Sequence, residues 1–185
     1  MPGTLAGPLP AEKRAVLERP DMTAPATRPE ITQALARGVQ RLLIDLGYAP
    51  VLELTLGNGR RADVAGLSAK GEIVIVETKS GVEDFVVDFK WPDYREYCDA
   101  FYFAVAPEFP QALIPADVAL IVADGFGGAV VRAAPRHPLS GARRKAVTLH
   151  FARVAAWRLY GAGAPAEAEA KYSSEIAAET PPRPR

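Results

Sequence analysis

Three residues have the types and spacing that phosphoryl chemistry needs: Asp63, Glu77 and Lys79. Glu77 and Lys79 close the run Ile73-Val74-Ile75-Val76-Glu77-Thr78-Lys79, which reads as a strand. Strand residues two apart share a face, so the carboxylate and the ammonium project together. Asp63 sits on the preceding strand and can stand beside them if the two strands pair across the Lys70-Gly71 turn. Two carboxylates would hold Mg²⁺ or Mn²⁺, with the carbonyl of Thr78 as an added ligand. The metal would polarise a phosphoryl oxygen, and a lysine beside the attacked phosphorus would stabilise developing negative charge. The competing reading is a structural ion pair at a strand end. The apolar run before Glu77 weighs against it, because that run puts the acid at the edge of a buried layer, where unpaired charge is unfavourable.

The elements that must position these residues are well signalled. Thr27 and Glu30 form a capping box, and Ile31, Leu35, Val39, Leu42 and Leu46 mark one face of a helix that Gly47 ends. A strand from Val51 to Leu56, the Asn58-Gly59 turn and a strand from Arg61 to Leu67 make a hairpin. The strand Glu72 to Lys79 follows. Ser80 and Glu83 start a helix expected to reach Trp91, with Phe85 and Phe89 on one face. Pro92 interrupts it, so Pro92 to Cys98 begins a separate helical turn. Strands are expected at Ala100–Ala106, Val118–Ala123 and Ala129–Arg132, with Gly125-Phe126-Gly127-Gly128 as a turn rather than a phosphate loop. A final helix covers Gly141 to Tyr160, with Val147, Phe151, Val154 and Ala155 inward. This order predicts an α/β sandwich with a mixed central sheet and helices on both faces. Residues 1–25 and 161–185 read as a disordered lead and tail, leaving one domain at 26–160.

Composition narrows the chemistry. The chain has 185 residues, 49% of them hydrophobic, which is enough for a core. One cysteine, Cys98, and two histidines, His137 and His150, leave no inventory for a thiolate or histidine metal cluster. A metal must then rely on hard oxygen ligands. The chain shows neither a membrane-length apolar run nor a signal-peptide pattern at Met1 to Lys13, so the cytoplasm is the expected compartment, with no membrane partner. Formal net charge is zero, but from Gly125 to Tyr160 there is no Asp or Glu, while Arg132, Arg136, Arg143, Arg144, Lys145, Arg153 and Arg158 fall there. An acid-rich centre beside a basic arm suits metal-assisted chemistry on a polyanion.

The pattern Asp63 followed by Glu77-Thr78-Lys79 resembles the PD-(D/E)xK nuclease superfamily, whose core order also matches the predicted elements. Ala62 stands where that superfamily often has proline. Further segments sharpen the likeness: Gly59 to Val64, Glu77 to Ser80, Asp84-Phe85, Asp88 to Tyr94, and Cys98-Asp99 with Tyr102 to Val105. Together they are similar to the MmcB-like DNA repair family, over roughly Pro29 to Leu159. The Lys90-Trp91-Pro92-Asp93-Tyr94 piece is the specific part. The resemblance implies a restriction-endonuclease-like fold, a role in DNA repair, metal acids at Asp63 and Glu77, and a catalytic lysine at Lys79.

Several other residues are candidates. Glu53 is a possible extra acid. Arg60, Arg61 and Lys90 are candidate phosphate contacts, and Trp91 and Tyr94 could stack on a splayed base or belong to the core. Asp84 and Asp88, one helical turn apart, are expected to cap and solvate a helix. Arg143, Arg144 and Lys145 lie at the N-terminal end of the last helix, the wrong end for cations unless an anion such as phosphate compensates. The first functional reading is a Mg²⁺- or Mn²⁺-dependent deoxyribonuclease acting in repair. The second is a catalytically silent nuclease-fold module that binds damaged or branched DNA for a partner repair enzyme. A scaffold without nucleic acid fits the charge asymmetry poorly.

Overall fold

The computed structural model describes residues 27–86 and 90–163. The expected lead at 1–25, most of the expected tail, Asp88 and Phe89 lie outside the described residues. Six strands form one sheet in chain order: β1 (Tyr48–Thr55), β2 (Arg61–Ser68), β3 (Ile73–Lys79), β4 (Ala100–Val105), β5 (Ala119–Ala123) and β6 (Gly128–Arg132). β2 runs antiparallel to both β1 and β3, β3, β4 and β5 are parallel, and β6 returns antiparallel to β5. The sheet is therefore mixed, as expected. β3 is buried along its whole length, consistent with its apolar run and its place inside the sheet.

Helices cover both faces. On one face α1 (Arg28–Asp45) places Leu35, Val39 and Leu43 against Val64, Val74, Val76, Ala104 and Ile121. Its start is the expected capping box: the Glu30 carboxylate accepts from the Thr27 amide at 2.7 Å. Gly47 after its end has φ +83°. The buried stripe differs from the expected one at its C-terminal end, where Leu43 is the inward residue and Leu46, the cap, is exposed. Gly38 lies where α1 crosses the β5–β6 hairpin; a Cβ there would stand 2.0 Å from the Asp124 carbonyl oxygen, so only glycine fits.

The other face carries α3 (Gly141–Gly163) and a 3₁₀ helix (Trp91–Tyr97). Val147, Phe151, Val154, Tyr94 and Tyr97 pack there with Ile73, Ile75, Phe101, Phe103 and Leu120. The helix expected from Ser80 to Trp91 is shorter where described: α2 spans Val82–Val86, and Lys90 is not helical. Its start also differs, since the Ser80 amide meets the Asp84 carboxylate while Glu83 pairs with Arg28. β1 begins at Tyr48, three residues earlier than expected, and includes Pro50. Proline is tolerated because β1 is an edge strand, where a missing N–H can face outward. The Gly125–Gly128 segment is a hairpin turn, with the Asp124 carboxylate accepting from the Phe126 and Gly127 amides at 2.7 and 3.0 Å.

Candidate active site

The β2–β3 ladder ends early. Its last pair is Val64 with Val76, although both strands continue toward the site. Beyond that pair, side chains replace the ladder. The Asp63 carboxylate accepts from the Thr78 amide at 2.8 Å and from the Thr78 hydroxyl at 2.7 Å. The Glu77 carboxylate in turn accepts from the Asp63 amide at 3.2 Å. Asp63 and the Glu77-Thr78-Lys79 segment are thus brought together, as the sequence predicts. A strand residue's N–H and C=O point to the same side. The Thr78 carbonyl therefore turns toward the same opening that its amide shares with Asp63.

Burial sets the electrostatics. Glu77 and Lys79 are only 6% and 5% exposed. Removal from water, reinforced by the neighbouring Asp63 charge, pushes the Glu77 carboxyl up to about 8. The Asp63 amide, the Lys79 ammonium and the Tyr94 hydroxyl oppose that rise without cancelling it. The Lys79 ammonium also stands 5.7 Å from the centre of the Phe103 ring.

A groove of about 1040 Å³ opens onto Asp63 and Tyr94. Arg60, Arg61 and Lys90 line it, and so do Asp93 and Glu96. Glu77 and Lys79 are not among its lining residues, so of the Asp63 and Glu77 pair it is Asp63 that meets the groove. Arg60 is held by a two-point contact to Asp93 at 2.8 and 3.1 Å, and the Asn58 amide donates to the Asp93 carbonyl. Arg61 stands 3.6 Å from Glu53, and both are largely exposed.

The remaining candidates divide. Tyr94 is buried and stacks on Phe101, with its hydroxyl donating to the Arg61 carbonyl at 3.1 Å. Trp91 stacks on Phe101, meets Phe103 edge-on and carries the Arg95 guanidinium over its ring. Both rings pack against the core, Trp91 half-buried and Tyr94 also bordering the groove. Arg144 is also engaged inside the fold: its guanidinium grips the buried Asp99 carboxylate at 2.6 and 2.8 Å and donates to the Gly71 carbonyl at 2.6 Å. The anion that compensates this cation at the start of α3 is an internal carboxylate, not a phosphate. Arg143 lies over the Tyr97 ring and 3.9 Å from Glu96, and Lys145 is exposed. Two residues that matter here stood in the sequence only as part of a family-like segment and of the basic arm, with no partner indicated. Asp99 collects the Ile73 and Leu139 amides as well as Arg144, and Arg158 reaches the carbonyls of β1.

The donor set at the opening can be tested against a metal. Among the described residues no three His, Cys, Asp or Glu side chains are grouped to hold an ion. Asp63 and Glu77 supply two carboxylates, each tied to the neighbouring strand by a backbone amide. Two carboxylates, one carbonyl and water make the hard-oxygen set that Mg²⁺ and Mn²⁺ take, and these cations retain waters readily. A cation would also relieve the burial of Glu77's negative charge. The residues fit a divalent ion of that class.

The family model for DNA repair protein MmcB-like matches residues 19–166, most of the chain. The chain belongs to the MmcB-like DNA repair family. Among solved structures, a protein of unknown function from Silicibacter pomeroyi is 45% identical, with a TM-score of 0.70 over 72% of this chain and 92% of that one. No curated protein matched. The MmcB-like match agrees with the resemblance carried by Lys90-Trp91-Pro92-Asp93-Tyr94 and its companion segments. Among the described residues no helix is long and apolar enough to cross a membrane.

Proposed function

We propose that this MmcB-like protein is a metal-dependent deoxyribonuclease of DNA repair, with its centre at Asp63, Glu77 and Lys79, of the PD-(D/E)xK, restriction-endonuclease-like type, acting in the cytoplasm. The observation that supports this most is the parting of β2 from β3, which leaves two carboxylates and the Thr78 carbonyl at one opening. Asp63, Glu77 and the Thr78 carbonyl would hold Mg²⁺ or Mn²⁺, which supplies Lewis acidity toward a phosphodiester when bound. Lys79, buried beside Glu77, would stabilise negative charge developing on the phosphoryl group. Asp63 meets the groove, where it would face the backbone of an incoming strand. Arg60, Arg61 and Lys90 on the groove wall position phosphates, and the Tyr94 hydroxyl, bonded to the Arg61 carbonyl, holds the wall in place. Other repair proteins are the further partner class.

The second reading is a DNA-binding module without cleavage. One observation favours it: with its carboxyl raised to about 8, Glu77 is protonated at neutral pH until a cation binds. Calorimetric titration with Mn²⁺ in the presence of a DNA duplex separates the two. The nuclease reading expects saturable binding that weakens at least tenfold in both Asp63→Asn and Glu77→Gln, with Lys79→Ala binding as well as wild type or slightly better. DNA binding without any Mn²⁺ uptake would leave the binding module as the function.

A further inference from the structure

β1 contains one residue that breaks strand geometry. Glu53 has φ +47°, a left-handed conformation that residues other than glycine adopt at a cost. It lies opposite Asp63: the β1–β2 ladder pairs Leu52 with Val64 and Leu54 with Ala62 but skips the pair between them. Side chains show what happens there. Leu52 packs toward α1, whereas Leu54 packs toward α3. On β2, Val64 belongs to the α1 side and Ala62 to the α3 side. In a regular strand each of those pairs would share a face. Both strands therefore roll over at Glu53 and Asp63.

The hydrogen bonds follow the roll. Before it, the register of β2 on β3 turns the amides of even-numbered β2 residues toward β3, as the Ser68–Glu72 bond at the turn shows. Asp63 would then face β1 and could bond to Glu53. After the roll, the Leu56–Arg60 bond shows that the even-numbered residues face across the hairpin instead. The Asp63 amide is released toward β3, where Glu77 accepts it. The Glu53 carbonyl is released toward the open edge, where Arg158 of α3 donates to it at 3.1 Å. Arg158 also donates to the Leu52 carbonyl. One lost ladder interaction is replaced by two side-chain contacts, one on each side of the hairpin.

We infer that Arg158 is a positioning residue for the acidic centre: by holding the Leu52 and Glu53 carbonyls, it fixes the roll that turns Asp63 out of the hairpin and toward Glu77 and Thr78. This rests on the reading of that centre as the metal site only for its consequence in metal affinity; the geometric consequence is separate. With the carbonyl contacts gone, nothing holds the roll in place, and the Asp63 amide and carboxylate lose their fixed positions against Glu77 and Thr78.

Amide hydrogen exchange on Arg158→Met, Arg158→Lys and the double variant Arg158→Met/Glu53→Gly tests this, with Mn²⁺ titration on the same samples. Arg158→Met should lose at least tenfold protection at the Asp63 and Thr78 amides while β4 amides such as Phe103 keep theirs, and Mn²⁺ should bind at least fivefold more weakly. Arg158→Lys, which can still reach a carbonyl, should recover part of the protection. Glu53→Gly should recover it in the double variant, because glycine holds the left-handed conformation without strain. A folded Arg158→Met whose Asp63 and Thr78 amides are as protected as in wild type would overturn the assignment. So would a double variant or a lysine variant no better protected than Arg158→Met. If wild type takes up no Mn²⁺ while the exchange pattern follows expectation, the metal reading fails and the positioning role stands.

Discussion

Glu77 is held where its negative charge is unfavourable, and that has a consequence for stability. Its carboxyl titrates near 8 in the folded protein against an ordinary value of 4.5. A group raised in the folded state favours folding fully below its unfolded value, and this contribution is lost as pH rises through the folded value. Glu77→Gln, which keeps the oxygen that accepts from Asp63, should therefore match wild type near pH 4 and become more stable on the order of a few kcal/mol by pH 8. Urea denaturation at both pH values in chelator checks it; equal stability at pH 8 would show that Glu77 is not destabilised by burial. Asp99 shows the opposite case. Burial alone would raise its carboxyl, but Arg144 and the Ile73 and Leu139 amides hold it below the usual carboxylate range. Arg144→Ala strands that buried charge and should destabilise the fold by about 3–5 kcal/mol, read as a fall in the denaturation midpoint. The sequence showed Arg144 only as a cation at the wrong end of a helix. Its partner lies 45 residues away, a contact that spacing does not reveal.

At the scale of elements, the order of helices and strands was legible because each is announced locally: a capping box at Thr27, turns at Asn58-Gly59 and Lys70-Gly71, and an apolar run through β3. The juxtaposition of Asp63 with Glu77 was legible too, since a short turn fixes which strands pair. What stayed hidden was the roll at Glu53. It is a conformational exception held by Arg158 from an element over 100 residues away, and no propensity signals a left-handed glutamate in a strand. Trp91 and Tyr94 were ambiguous for a related reason: aromatic spacing says that two rings lie near each other, not whether bases or Phe101 lie against them. The start of α3 now carries a narrower expectation. Arg144 is an internal anchor, so only Arg143 and Lys145 remain to meet phosphate. The double variant Arg143→Ala/Lys145→Ala should keep wild-type stability and make the slope of log affinity against log salt shallower by about 0.9 for each lost duplex phosphate contact. An unchanged slope in a salt titration would remove α3 from the DNA surface.

For the molecule as a whole, the two layers of packing have separate duties. The α1 side closes a plain apolar core, and Gly38 lets that helix approach the β5–β6 hairpin closely. The other side, with α3 and the 3₁₀ helix, ties down the site: Tyr94 reaches Arg61, Asp93 holds Arg60, and Arg158 holds β1. Zero net charge does not oppose a nucleic-acid role, because positive residues of the groove are gathered beside Asp63, and two of them, Arg60 and Arg61, are held by weak, exposed acid partners that a phosphate could replace. The activity proposed for this opening is DNA cleavage. Its most direct measurement is a cleavage assay with Mn²⁺ on single-stranded, duplex, flapped and branched DNA, comparing wild type with Asp63→Asn at matched protein and salt. Wild type should cut at least one of these substrates only when Mn²⁺ is present, with the rate falling on the order of 100-fold or more in Asp63→Asn, the range seen when a group central to transition-state stabilisation is removed. Wild type that binds these DNAs and leaves every one intact, or Asp63→Asn that cuts at the wild-type rate, would contradict it.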